Sequence, residues 1–71
     1  MEQVVRAEMV ASVHSLVAQV GDALTPGDVI VILESMKMEI PVVSETGGTV
    51  TRLAVAVGDV VQEGDLIVEL S

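Results

Sequence analysis

The sequence predicts an all-β fold: two small antiparallel sheets packed as a sandwich or flattened barrel, with a pseudo-two-fold internal repeat. Three observations predict it. Short runs rich in valine, isoleucine and leucine are bounded by turn residues, and no segment shows a helical face. The stretch VGDALTPGDVIVIL (20–33) lies over VGDVVQEGDLIVEL (57–70) with eight identities in fourteen positions and no gap, an offset of 37 residues. Gly-Asp pairs fall at matching places in both halves, so each half reads strand, turn, short bridge, turn, strand.

The elements follow in order. SVHSLVAQV (12–20) is the first long strand, closed by the Gly21-Asp22 turn. TPGD then places Pro26 where its fixed φ suits the second position of a turn and Gly27 where positive φ is needed, a type II signature. VIVIL (29–33) opens a strand over 29–34, and a second strand covers 38–43, so Met36-Lys37 must form a tight hairpin turn. The second half repeats the scheme: GTVTRLAV (48–55) as a strand, a turn at Gly58-Asp59, Gly64 in the place of Gly27, and LIV (66–68) as the last strand. Val50 and Leu53 answer Val13 and Leu16 at the same offset. Asp22, Asp28, Asp59 and Asp65 read as turn residues that accept local backbone hydrogen bonds, because the repeat explains their spacing without a calcium site or an acid pair.

At 71 residues the chain holds one small domain, 1–71, with quasi-repeats 9–33 and 46–70 around a hairpin at 34–45. It has no cysteine, and the lone His14 lacks a second histidine for a metal pair, so aliphatic packing must carry stability. His14 is assigned no role, because no nucleophile or acid constellation points to it. A net charge of −8 repels nucleic acid phosphates and anionic lipid. No run of 18 apolar residues and no basic, apolar leader occurs, so the expectation is a cytoplasmic protein that does not enter membranes. The span from Met1 to Ser71 with a complete repeat is what a free-standing small protein would show.

Chemistry points to ESMKMEIP (34–41), which contains the only lysine of a chain with eleven acidic residues. Met-Lys is a poor choice for a tight hairpin turn, which favours Asn-Gly, and a broken local rule marks a place to seek function. Met36 and Met38 are apolar where water should be, and thioethers make an adaptable contact surface. A self-activated Schiff-base lysine needs burial or a neighbouring cation. Glu34 and Glu39 are anions that favour the charged amine instead, so activation has to come from another protein. The domain is then a substrate rather than an enzyme.

These residues are recognisable: ESMKMEIP, set between two Gly-Asp repeats, resembles the modification site of the biotin carboxyl carrier, or biotinyl, domains, over nearly the whole chain. The resemblance implies a flattened barrel of two four-stranded antiparallel sheets. It implies biotin on Lys37, attached by a biotin protein ligase, with Met36 and Met38 as ligase recognition residues and Glu34 as an acidic determinant. Gly27, Gly48 and Gly64, with Gly21 and Gly58, would be backbone-geometry positions. Biotin would shuttle a carboxyl group from a biotin carboxylase to a carboxyltransferase, for an acyl-CoA or keto-acid acceptor. The chain would be a carrier without catalysis of its own, monomeric alone. AEMVAS (7–12) stands where the family often has Ala-Pro-Met-x-Gly, and the gapless repeat leaves no room for the thumb insertion of some relatives.

Three rivals are weighed against this. A lipoyl carrier shares the resemblance but typically shows Asp-Lys-Ala at the tip, where this chain has Met36-Lys37-Met38. An unmodified interaction module would use the Met-rich tip for docking and tolerate Lys37→Arg. An autonomous lysine enzyme would trap a carbonyl substrate under borohydride.

Overall fold

Eight strands occupy the described residues, Gln3 to Ser71, of the computed structural model. In chain order they are β1 (Gln3–Arg6), β2 (Ala11–Leu16), β3 (Ala23–Leu24), β4 (Val29–Ser35), β5 (Met38–Val43), β6 (Gly48–Leu53), β7 (Val60–Val61) and β8 (Leu66–Leu70). They form two four-stranded sheets, ordered β1-β8-β6-β3 and β5-β4-β2-β7, with antiparallel pairing throughout. A shift of 37 residues carries β1 to β4 onto β5 to β8 and exchanges the two sheets. Each half contributes two strands to each sheet, so neither half has a core of its own. The correspondence extends past 9–33 and 46–70, since β1 falls on the later part of β5, where little sequence identity remains.

The turns join the halves. Gly21 N–H donates to the Val50 carbonyl at 2.8 Å, and its counterpart Gly58 N–H donates to the Val13 carbonyl at 2.9 Å. Gly27 donates to Ser44 at 2.7 Å and Gly64 to Ala7 at 2.8 Å in the same relation. Each glycine is the third residue of a four-residue turn and has a φ between 92° and 97°. In all four turns the aspartate N–H donates back to the carbonyl of the first residue, and an aspartate oxygen accepts from that residue's N–H at 2.9 Å. The carboxylate thus closes the turn it ends.

Four β-bulges shape the core, again in two related pairs. The β4–β5 register slips at Ile30 and the β1–β8 register at Ile67. The extra residue lets two neighbours face inward together, which strict alternation forbids. Ile30 with Val31, and Ile67 with Val68, are all 0% exposed. The other pair lies at His14 in β2 and Thr51 in β6. Around these positions Val13, Leu33, Val50, Val61 and Leu70 complete an aliphatic core without aromatic residues. No buried side-chain polar atom among the described residues lacks a hydrogen-bond partner.

The strands read as 12–20 and 48–55 are shorter than expected, ending at Leu16 and Leu53. Beyond Leu16 the chain crosses from one sheet to the other. Val17 and Ala18 N–H both donate to the Ile30 carbonyl at 2.9 Å, and Gly21 then bonds to Val50 in the opposite sheet. β-Branched composition continues through the crossover, and the ladder does not. Residues 17–22 and 54–59 are crossovers of equal length, so no thumb projects from the first half.

Two glycines separate conformational from steric cost. A Cβ on Gly27 would meet nothing within 4 Å, but φ there is +93°. A Cβ on Gly48 would lie 3.1 Å from the Ser71 carbonyl oxygen, with no unusual φ. Gly27→Ala is expected to cost about 1–2 kcal/mol from left-handed backbone alone. Gly48→Ala is expected to cost about 1–3 kcal/mol by prying β6 from the C-terminal residue. Urea denaturation of both variants measures this; a neutral Gly27→Ala would remove the conformational account.

Candidate functional site

The hairpin that crosses between the two halves carries the candidate site. β4 and β5 pair down to Ser35 opposite Met38, leaving Met36 and Lys37 as a two-residue loop. Two-residue loops that match the right-handed strand twist are of type I′ or II′, and type I′ requires positive φ at both positions. Met36 has φ 53° and Lys37 φ 65°, and among the described residues they are the only non-glycine positions in that region. Each residue held there costs of order 1–2 kcal/mol relative to glycine. The sequence accepts this cost at one place, and that place holds its single lysine.

Side-chain exposure follows from the turn. Met36 is 91% and Met38 64% exposed, so neither folds back onto the sheet edge. Lys37 is exposed between them, and neither of the two ion pairs formed among the described residues involves it. Its amine is therefore exposed between two largely exposed thioether side chains.

Below the turn, Glu34 and Glu39 are directly opposed across the ladder, and both are exposed. Like charges so placed repel and favour an approaching cation. β2 braces these strands: Ser12 Oγ donates to the Glu34 carbonyl at 3.3 Å, and His14 Nε2 stands 3.9 Å from Glu39 Oε2. The bulge at His14 sets that side chain on the outer face of the sheet, across β4 from Glu39. Sequence reasoning placed Lys37, Met36, Met38 and Glu34 together and missed the support from Ser12 and His14. Nothing in the spacing of residues 12–14 signals a bulge.

Gly21, Gly27, Gly58 and Gly64 sit at the four Gly-Asp turns rather than at the tip, and Gly48 lies against Ser71. The ends of the described chain are also remote from Lys37. Gln3 pairs with Leu70 and bonds through its side chain to Thr46, beyond the far end of β5. Six residues of extended strand, about 20 Å, separate that end from the turn.

Residues 3–70 match a family model described as biotin-requiring enzyme, of the biotin and lipoyl attachment domains. A biotinylated protein TB7.3 homolog from Mycobacterium leprae is 55% identical over 55 residues, 78% of each chain. The structure superposes on the Kluyveromyces lactis urea carboxylase with a TM-score of 0.93 and 31% identity, covering 100% of this chain and 6% of the other. The lipoyl domain of the 2-oxoglutarate dehydrogenase complex from Azotobacter vinelandii gives 0.74 and 26%, covering 87% and 78%. Fold, hairpin and these likenesses agree: the chain belongs to the biotin/lipoyl attachment family.

Proposed function

We propose that residues 1–71 form a biotin carboxyl carrier domain in which Lys37 Nζ is acylated by biotin. The observation that carries the reading is the left-handed Met36-Lys37 turn, which holds the one side-chain amine clear of the body between two exposed thioethers. The residues fit the group: an amide at Nζ needs an unpaired, accessible lysine, and the apolar flanks suit a ligase that must bind the tip before it acylates it. Biotin, when attached, supplies a ring nitrogen able to carry a carboxyl group between a biotin carboxylase and a carboxyltransferase, for an acyl-CoA or keto-acid acceptor.

The chain's own part is positioning. The ligase must accept the proton that leaves Lys37 Nζ, because among the described residues no base pairs with it. Glu34 and Glu39 offer negative charge to a cationic rim on the partner, with Met36 and Met38 filling its apolar centre. The rigid body below fixes where the arm starts, and tethering raises the local concentration of the carried group at each partner site. Urea carboxylase, of which this domain matches 6%, contains a comparable body within a much longer chain, which supports carboxylase partners. The domain itself performs no catalysis in this reading and works as a monomer in the cytoplasm.

The test is the intact mass of the protein after incubation with biotin, ATP and a biotin protein ligase of proven activity on another carrier. One biotinyl group is expected per chain; none would remove the biotin reading. The lipoyl domain shares the fold at a TM-score of 0.74, so the flanking residues must discriminate. Met36→Asp with Met38→Ala is expected to lower kcat/KM for biotinylation at least about tenfold, near 1.4 kcal/mol of lost recognition, and to admit lipoylation. Unchanged biotin labelling would refute discrimination by these side chains.

A further inference from the structure

Four methionines and no cysteine, tryptophan or tyrosine make thioethers the principal oxidisable side chains of this chain. Their exposure is uneven. Met9 is 37% exposed, Met38 64% and Met36 91%, so the most accessible sulfurs described are the two that flank Lys37. We propose that Met36 and Met38 are a reversible oxidation site whose sulfoxide form blocks acylation of Lys37. The inference rests on the carrier reading above, and it adds control of the same tip by peroxide.

The step balances simply. A thioether sulfur donates a lone pair to one oxygen of a hydroperoxide, the O–O bond breaks, and sulfoxide and water or alcohol leave. Sulfur loses two electrons and the peroxide gains them. A methionine sulfoxide reductase reverses the change, removing the oxygen as water while two thiols become a disulfide. The body gives little protection, because Met36 in the turn and Met38 at the start of β5 are both largely exposed.

The consequence follows from desolvation. A sulfoxide is polar and strongly hydrogen-bonded to water, so pressing it into an apolar partner pocket leaves an acceptor without a donor. That penalty corresponds to roughly tenfold or more in kcat/KM for the ligase. The fold itself is unaffected, since neither side chain belongs to the core. Oxidation would therefore separate acceptor competence from stability, which few modifications of a small domain can do.

The experiment uses unbiotinylated full-length chain carrying Met9→Leu, treated with hydrogen peroxide until peptide mass mapping shows oxygen on Met36 and Met38. Ligase kinetics and thermal melting are then compared with mock-treated protein. The expected result is a fall of about tenfold or more in biotinylation kcat/KM, an unchanged melting curve, and recovery after treatment with methionine sulfoxide reductases of both epimer specificities. Met36→Leu with Met38→Leu is expected to give the same rate with and without peroxide, whatever that rate is. An unchanged rate with both tip sulfurs oxidised would overturn the inference, as would a loss that persists in the double leucine variant. Absence of biotin on the mock-treated protein would instead sink the carrier reading, so the two failures are distinct.

Discussion

Lys37→Arg is expected to gain no biotin under conditions that load the natural chain completely, and to melt at the same temperature. Arginine keeps the positive charge and the length of the side chain. Its guanidinium, however, stays protonated and delocalised, so it offers no nucleophilic lone pair for amide formation. Stability should not change, because φ at position 37 is 65° for either residue and the side chain is exposed. A docking module without modification would keep its cellular activity in this variant, whereas a carrier loses all of it. The chain has one lysine, so the remaining amine is the α-amino group of Met1. Biotin found on the variant would have to lie there, and the assignment of Lys37 would be withdrawn.

The second large effect is on the body. Ile30→Ala and Ile67→Ala are each expected to cost about 2–5 kcal/mol, from lost burial and from the cavity left behind. A chain of 71 residues has roughly 4–10 kcal/mol of total stability, so either change takes the domain close to unfolding. Both side chains are 0% exposed and both occupy the inserted position of a bulge. The two costs should therefore agree within about 1 kcal/mol, as related sites of one pseudo-symmetric core. Urea denaturation at fixed temperature measures them. A loss below about 1 kcal/mol at either site would show that the bulged isoleucines do not anchor the core. On the proposed carrier reading, ligase activity toward either variant should fall with the folded fraction, because only the intact sandwich holds the hairpin rigid.

The tip was legible in the sequence for a physical reason: it breaks a local rule. Met36 and Lys37 are unsuited to positive φ, and the structure holds both there. The Gly-Asp turns were legible too, because glycine and aspartate are demanded by backbone geometry at fixed offsets and keep their identity in both halves. Where only shape is demanded, the signal fades. β1 corresponds in space to the later part of β5, yet of Gln3–Arg6 only Val5 matches its counterpart, Val42. The bulges at His14 and Ile30 were hidden because they answer to packing across the sandwich, which no local pattern records. The same gap produced the overlong strands. Val17 to Val20 have strand composition, but they serve to carry the chain from one sheet to the other.

The pairing of β1 with β8 also sets an order in time. Gln3 lies opposite Leu70, so the first strand of the domain cannot find its neighbour until the last has been made. β4 and β5, by contrast, are consecutive and can zip as a hairpin as soon as they are free, on a microsecond scale. During synthesis Lys37 is thus on display in a loose ribbon well before the sheet containing β1 can close. Ring closure between distant strands is slow, and it comes last. On the proposed carrier reading, a ligase that required the rigid tip would also be reading whether translation of the domain had finished.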